Sequence, residues 1–357
     1  MKSIKIVGIL SLIGASAALC QAPPAAAPRT GPGVQAPQDA KYQDLIKTCK
    51  VPPPVVPGRG GAAKGGPPKG QAKGPAAPAA AAPKEIPAIP GVIAAGQQWK
   101  DVWQVEGNNA DGIVATKDGG ILAAQNDNST VVKLDKNGKV SNAYTGLNTS
   151  GSVAMNGKNL YVLNRGLNQS IEQLEPKRKT LVNKNNGDPM DCLGGLLNDM
   201  TADSKGGVYF TMGGVFHADS KGTITKYGEN INPNGIVLSP DEKHLYVTNG
   251  TTMAVFDVQK DGSLTNQREF AKFEGGGGGD GSTFDSAGRL YVTSTAGVQV
   301  ISPDGKNLGV IPTPRGVITV TISGPDRKTL YAVSRTGNTD WIISIPLIAQ
   351  GPKGRGK

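Results

Sequence analysis

The sequence predicts an all-β fold: a six-bladed β-propeller with four-stranded blades, preceded by a signal peptide and a disordered Pro/Gly/Ala-rich arm. Three observations predict it. The 357 residues include 50 Gly and 26 Pro, a composition that disfavours helical bundles and coiled coils. From residue 99 onward six units follow one another at a period near 40, the spacing of propeller blades. Within each unit, short alternating apolar runs are bounded by Asp-Gly and Lys-Gly turns, the signature of hairpins.

The elements follow in order. Residues 1–5 are a basic n-region, 6–13 an apolar core, and 14–18 (GASAA) supply small residues. This predicts a secretory signal cleaved between Ala17 and Cys20, hence a secreted or periplasmic chain. Leu19 stands where a lipoprotein signal wants a small residue, which argues against lipidation. Residues 21–50 form an N-terminal segment in which 40–47 (AKYQDLIK) can make two helical turns anchored by Tyr42, Leu45 and Ile46. Residues 51–95 read as a linker. Of the 34 residues from 51 to 84, 25 are Pro, Gly or Ala, too little apolar surface to offset the entropy of ordering. Residues 96–350 are the propeller, and 351–357 a basic tail.

Six repeat starts define the blades: Asp111-Gly112, Ser152, Asn198-Asp199, Asn234-Gly235, Asp280-Gly281 and the stretch from Ile318 to Thr319. Each leads into a strand, a turn, then a second strand such as LYV or VYF. Residues 99–105 (WKDVWQV) alternate ahead of the first repeat. They are expected to be the outer strand of the last blade, closing the ring and protecting its edges.

Charge excludes one class of partner. Of the net +10, two positive charges lie in residues 1–20, six in net in 21–95 and three in 351–357, leaving 96–350 at −1. Basic tails around a neutral globule are not a nucleic-acid surface. The arm is suited at most to weak contact with an anionic envelope surface. Beyond the signal, no apolar run reaches the ~20 residues of a membrane span. After cleavage Cys49 and Cys192 remain. They either pair in an oxidising compartment or stay free thiols; a bond would close a long loop, worth roughly 3–5 kcal/mol.

A propeller gathers its inner strands around a central channel, so the repeat starts face one another there. Asp111, Ser152, Asn198, Asn234, Asp280 and Thr319 are the residues so placed. Two carboxylates about 4 Å apart repel by roughly 4 kcal/mol at an effective dielectric near 20. A shared proton or a cation relieves this. With Asn198 and Asn234 alongside and no Cys or His, Asp111, Asn198, Asn234 and Asp280 form an all-oxygen donor set for one divalent metal ion. Ca²⁺ is the first choice, with Mg²⁺, Mn²⁺ and Zn²⁺ as alternatives. No G-x-S-x-G elbow is present. His244 reads as a solvated turn residue and His217 as a packing or surface residue; Arg165, which ends a strand after LYVLN, reads as a surface residue, with a place at the channel mouth as the alternative.

The stretches LLNDMTADSKGGVYFT, INPNGIVLSPDEKHLYVTNG and GDGSTFDSAGRLYV resemble the gluconolactonase, or senescence marker protein (regucalcin-like), family over about residues 105–335. The resemblance implies a six-bladed propeller with one channel metal and hydrolysis of sugar lactones. By motif, the PNG asparagine falls on Asn234, the DG aspartate on Asp280 and the ND asparagine on Asn198. The family's first ligand, a Glu in an E-G-P motif, falls on Asp111, with Glu106-Gly107 a rival match. The Arg that family members carry two residues before the ND asparagine is Leu196 here. The resemblance thus implies a metal-polarised lactone or ester carbonyl, with Asp280 as general base on a water and a small sugar-derived molecule as substrate. The competing expectation is a non-catalytic propeller that binds a ligand or protein around a structural metal.

Overall fold

The computed structural model describes residues 33–53, 85–275 and 277–354. The predicted signal, residues 54–84 of the predicted linker and the end of the tail lie outside the described residues. Six four-stranded antiparallel sheets follow one another, with inner strands Ile113–Ala115, Ser150–Asn156, Met200–Ala202, Pro233–Leu238, Gly279–Phe284 and Gly316–Ser323. We number these blades I to VI. The outermost strand of blade VI is Lys100–Glu106, paired antiparallel with Thr339–Pro346. The chain's first strand therefore completes its last sheet.

The core is divided among the six gaps between neighbouring blades, one apolar cluster to each gap. Between blades I and II, for example, Val114, Leu122 and Val131 meet Val153, Leu160 and Leu174. The short β-branched and leucine-rich strands explain this. Each sheet buries both faces, one against each neighbour, so single strands read as nearly continuous apolar runs. Ring closure has polar help: Arg315 pairs with Asp101 through two hydrogen bonds of 2.8 and 3.0 Å and lies 4.1 Å over the Trp341 ring.

The structure corrects the predicted linker boundary. Ile86, Ile89, Val92 and Ile93 are buried and pack between blades V and VI with Val298, Val300 and Ile343. The high Pro and Gly content hid four β-branched side chains, enough to anchor a tight turn in which the Ile89 and Ile93 backbones bond each other at 3.0 and 3.1 Å. The N-terminal segment carries a helix at Tyr42–Ile46, with Tyr42 buried. Cys49 and Cys192 are bonded. The segment from Gly33 to Pro53 thus forms a strap on the rim of blades I to III. Gly33 N–H donates to Asp127 Oδ1 (3.2 Å), Ala36 N–H to the Arg165 carbonyl (2.7 Å) and Lys50 N–H to Asp188 Oδ2 (3.0 Å). Among the described residues no helix is long and apolar enough to cross a membrane.

Candidate functional site

Each inner strand begins with a two-against-one irregularity. In blade IV pairing jumps from Pro233–Asn249 to Ile236–Val247, and in blade V from Gly279–Ser294 to Ser282–Val292. Blades II and VI show the same at Ser150/Ser152 and Val317/Thr319. In blades I and III, two consecutive residues share one partner: Asp111 N–H and Gly112 C=O both bond Ala124, and Asn198 N–H and Asp199 C=O both bond Thr211. β-Bulges re-aim side chains at sheet ends. Here they set a ring of six positions at one mouth of the channel: Asp111, Gly151, Asn198, Asn234, Asp280 and Ile318. Asp111, Asn198, Asn234 and Asp280 are each half-buried.

Two expected members of this ring are displaced by one residue. Ser152 and Thr319 lie one position further along, in register with Gly112, Asp199, Gly235 and Gly281. A Cβ on Gly112 would meet Ser152 Cα at 2.5 Å, and one on Gly281 would meet Thr319 Oγ1 at 2.3 Å. The glycines after Asp111, Asn234 and Asp280 are therefore required by the close approach of neighbouring strands. Two of the side chains at that position bond each other: Asp199, buried, accepts from Ser152 Oγ (2.8 Å) and from Ile236 N–H (3.1 Å).

The ring residues are linked. Asn198 Nδ2 donates to Asn234 Oδ1, and Asn234 Nδ2 donates to the Gly279 carbonyl at 3.3 Å, directly before Asp280. Asp111 accepts from Asn126 Nδ2 at 2.9 Å and from the guanidinium of Arg165. For Arg165 the structure corrects the preferred surface reading in favour of the alternative, the channel mouth. The residue is 5% exposed, not a surface residue. Its Nε donates to the Leu197 carbonyl (2.7 Å), and its Nη2 to the Asn198 carbonyl and to Asn198 Oδ1 (3.2 Å). Glu106, the rival for the family's first carboxylate, is exposed on the outermost strand of blade VI, away from the ring. That leaves Asp111 as the blade I carboxylate.

Other polar groups have structural partners. His217 is buried, stacks on Tyr209 at 4.2 Å between ring centres, and bonds Asp203 Oδ2 at 2.9 Å. Burial pushes the Asp203 carboxyl up. The bonds from His217 and from the Gly207 and Lys205 N–H groups more than offset this and leave it below its ordinary value. His244 starts a strand, 3.6 Å from Asp257. Asp191, buried beneath the strap, is raised by desolvation against hydrogen bonds from Gln169. Beside the ring, Arg335 is desolvated, but bonding to Asp340 (2.5 and 3.0 Å), with Asp111 and Asp127 nearby, holds it above its ordinary value. Among the described residues, no three Asp, Glu, His or Cys side chains group to hold a metal; any ion at the ring needs the carboxamides.

Comparison with known proteins agrees with this architecture. Residues 148–336, just over half the chain, match the SMP-30/gluconolactonase/LRE-like region. The chain is 31% identical over 144 residues to a gluconolactonase of Zymomonas mobilis, an alignment covering 32% of this chain and 40% of that one. It is 37% identical over 112 residues to lactonase drp35 of Staphylococcus epidermidis, covering 27% of this chain and 34% of that protein. The match thus spans well under half the length of these relatives. Among solved structures, a gluconolactonase of Xanthomonas campestris superposes with a TM-score of 0.62 at 21% identity, over 78% of this chain and 98% of that one. A calcium-binding regucalcin of Agrobacterium tumefaciens gives 0.57 at 15% identity, over 72% and 96%. Both share the fold.

Proposed function

The chain belongs to the SMP-30/gluconolactonase/LRE-like family, and on that premise we propose that it is an exported hydrolase that opens a lactone or related ester at the channel mouth. The observation that carries this reading is the ring of bulge positions. It places Asp280 beside Asn234 and Asn198, half-exposed, with the carboxamides bonded to each other. The Cys49–Cys192 bond supports export, since such bonds persist in oxidising compartments.

The donor chemistry suits a hard divalent cation, Ca²⁺ first: carboxylate and carboxamide oxygens, with no nitrogen or sulfur ligand. Asn198, Asn234 and Asp280 would hold it, with Asp111 as a fourth oxygen donor only if freed from Arg165. Bound there, the ion would supply Lewis acidity to the substrate carbonyl and to the charge that develops on its oxygen. Asp280 takes a proton from a water whose oxygen attacks the carbonyl carbon. As the ring C–O bond breaks, Asp280 returns that proton to the leaving oxygen, giving the hydroxy acid. Asn198 and Asn234 orient the substrate. Leu196, half-buried on the rim, presents no charge to a sugar acid, so neutral lactones fit this mouth better than anionic ones.

The test is hydrolysis of a lactone panel by the purified mature protein, followed by proton release, with and without chelator. Turnover that is lost on chelation and restored by Ca²⁺ is expected. No turnover of any lactone or ester would overturn the hydrolase reading and leave a binding propeller.

A further inference from the structure

Ring position II holds no side chain of its own. Gly151 stands there, and a Cβ on it would lie 2.1 Å from Arg165 Nε and 2.3 Å from Arg165 Cζ. The guanidinium therefore fills the space that a side chain of blade II would take. It comes from the residue after the strand Asn159–Asn164 and lies between the side chains of blades I and III. Four bonds fix it: to Asp111 Oδ2, to the Leu197 carbonyl, and to the carbonyl and Oδ1 of Asn198. Asn126 Oδ1 lies 3.4 Å from Nη1. The strap fixes its backbone, since Ala36 N–H bonds the Arg165 carbonyl at 2.7 Å. The site is built on both sides, by a glycine that makes room and a main-chain clamp that sets the approach.

A guanidinium is always charged and cannot leave this site by losing its proton. It meets the electrostatic demand of the half-buried Asp111 carboxylate. We propose that Arg165 is the permanent counter-ion of Asp111, a positioning residue that withholds this carboxylate from any divalent ion. The ion site is then reduced to Asn198, Asn234 and Asp280, and a fixed positive charge beside it weakens cation affinity. The inference rests on the divalent-ion reading above. It departs from the family pattern, in which the blade I carboxylate is a ligand.

Ca²⁺ titration calorimetry on the full mature chain tests it, without reference to turnover. Arg165→Gln frees Asp111 and removes a like charge, so Ca²⁺ should bind at least about tenfold tighter than in the wild type. The double variant Asp111→Asn/Arg165→Gln removes the pair at constant net charge and should keep wild-type affinity within about threefold. If Asp111 ligates the ion in the wild type, the double variant instead loses at least tenfold and the proposal falls. It also falls if R165Q binds no tighter, or if no form of the chain binds Ca²⁺ at millimolar concentration. If R165Q does not melt cooperatively, the double variant decides. Lactone turnover by the wild type judges the hydrolase reading separately, so the two can fail independently.

Discussion

Gly235→Ala probes the link between blade packing and the reactive ring. Gly235 follows Asn234 and lies against the bulge of blade V. A Cβ there would sit 2.2 Å from the Asp280 carbonyl oxygen, 2.6 Å from its carbon and 3.0 Å from Gly281 Cα. All three are backbone atoms, so no side chain can swing aside. Ordinary contact begins near 3.4 Å, and the two strands must part by about 1 Å. Overpacking of this kind costs about 1–3 kcal/mol, or about 2–10 °C in melting temperature for a domain of this size. The displaced atoms belong to Asp280 itself, and a 1 Å misplacement of a reacting group costs about 10²-fold in rate. Gly235→Ala should therefore lose about a hundredfold in kcat/KM for the best lactone, well beyond what partial unfolding explains at a temperature where it remains folded. Calorimetric melting beside a proton-release assay checks both. An alanine variant with unchanged melting temperature and near wild-type turnover would refute the packing argument.

Two further predictions concern stability. The Cys49–Cys192 bond spans 143 residues, for which the chain-entropy model gives about 5 kcal/mol as an upper value. Besides it the strap is held by a few bonds at Gly33, Ala36 and Lys50 and by the buried Ala36 and Tyr42, so C49S/C192S should raise hydrogen exchange most near residues 42–49 while the blades stay protected; unchanged protection there would contradict this. The Asp203 carboxylate, lowered from 3.8 in the fold, adds stability above its unfolded value that is lost as pH falls through the folded one. Asp203→Asn should cost about 1–3 kcal/mol at neutral pH, and the gap in melting temperature from the wild type should close below about pH 4; a gap that stays constant to pH 2 would contradict it.

The blades were legible because a strand pattern repeated six times averages out local ambiguity. The ring was legible at Asp111, Asn198, Asn234 and Asp280, where an Asp or Asn stands out before an apolar run. It slipped by one residue at Ser152 and Thr319, because a bulge adds a residue without altering the apolar alternation beyond it. For Arg165 the sequence leaves the channel mouth open as an alternative but favours the surface, for another reason. A charged residue at a strand end usually faces water, and its destination is set by three groups distant in sequence: Asp111, the Leu197 carbonyl and the space over Gly151. The glycine was the available signal, since blade II alone lacks a side chain at that ring position. The packing of Ile86, Ile89, Val92 and Ile93 was hidden by the prolines and glycines around them.

The most direct measurement compares wild type with Asp280→Asn on the lactone panel, with melting curves recorded alongside. The change is isosteric and removes the carboxylate that acts as proton acceptor and as an ion ligand, so both proteins are assayed at saturating Ca²⁺. If Asp280 activates the water, kcat/KM should fall by about 10²–10⁴-fold, the range general-base catalysis supplies, with the melting temperature unchanged. Turnover within a few-fold of wild type would show that the chemistry lies elsewhere.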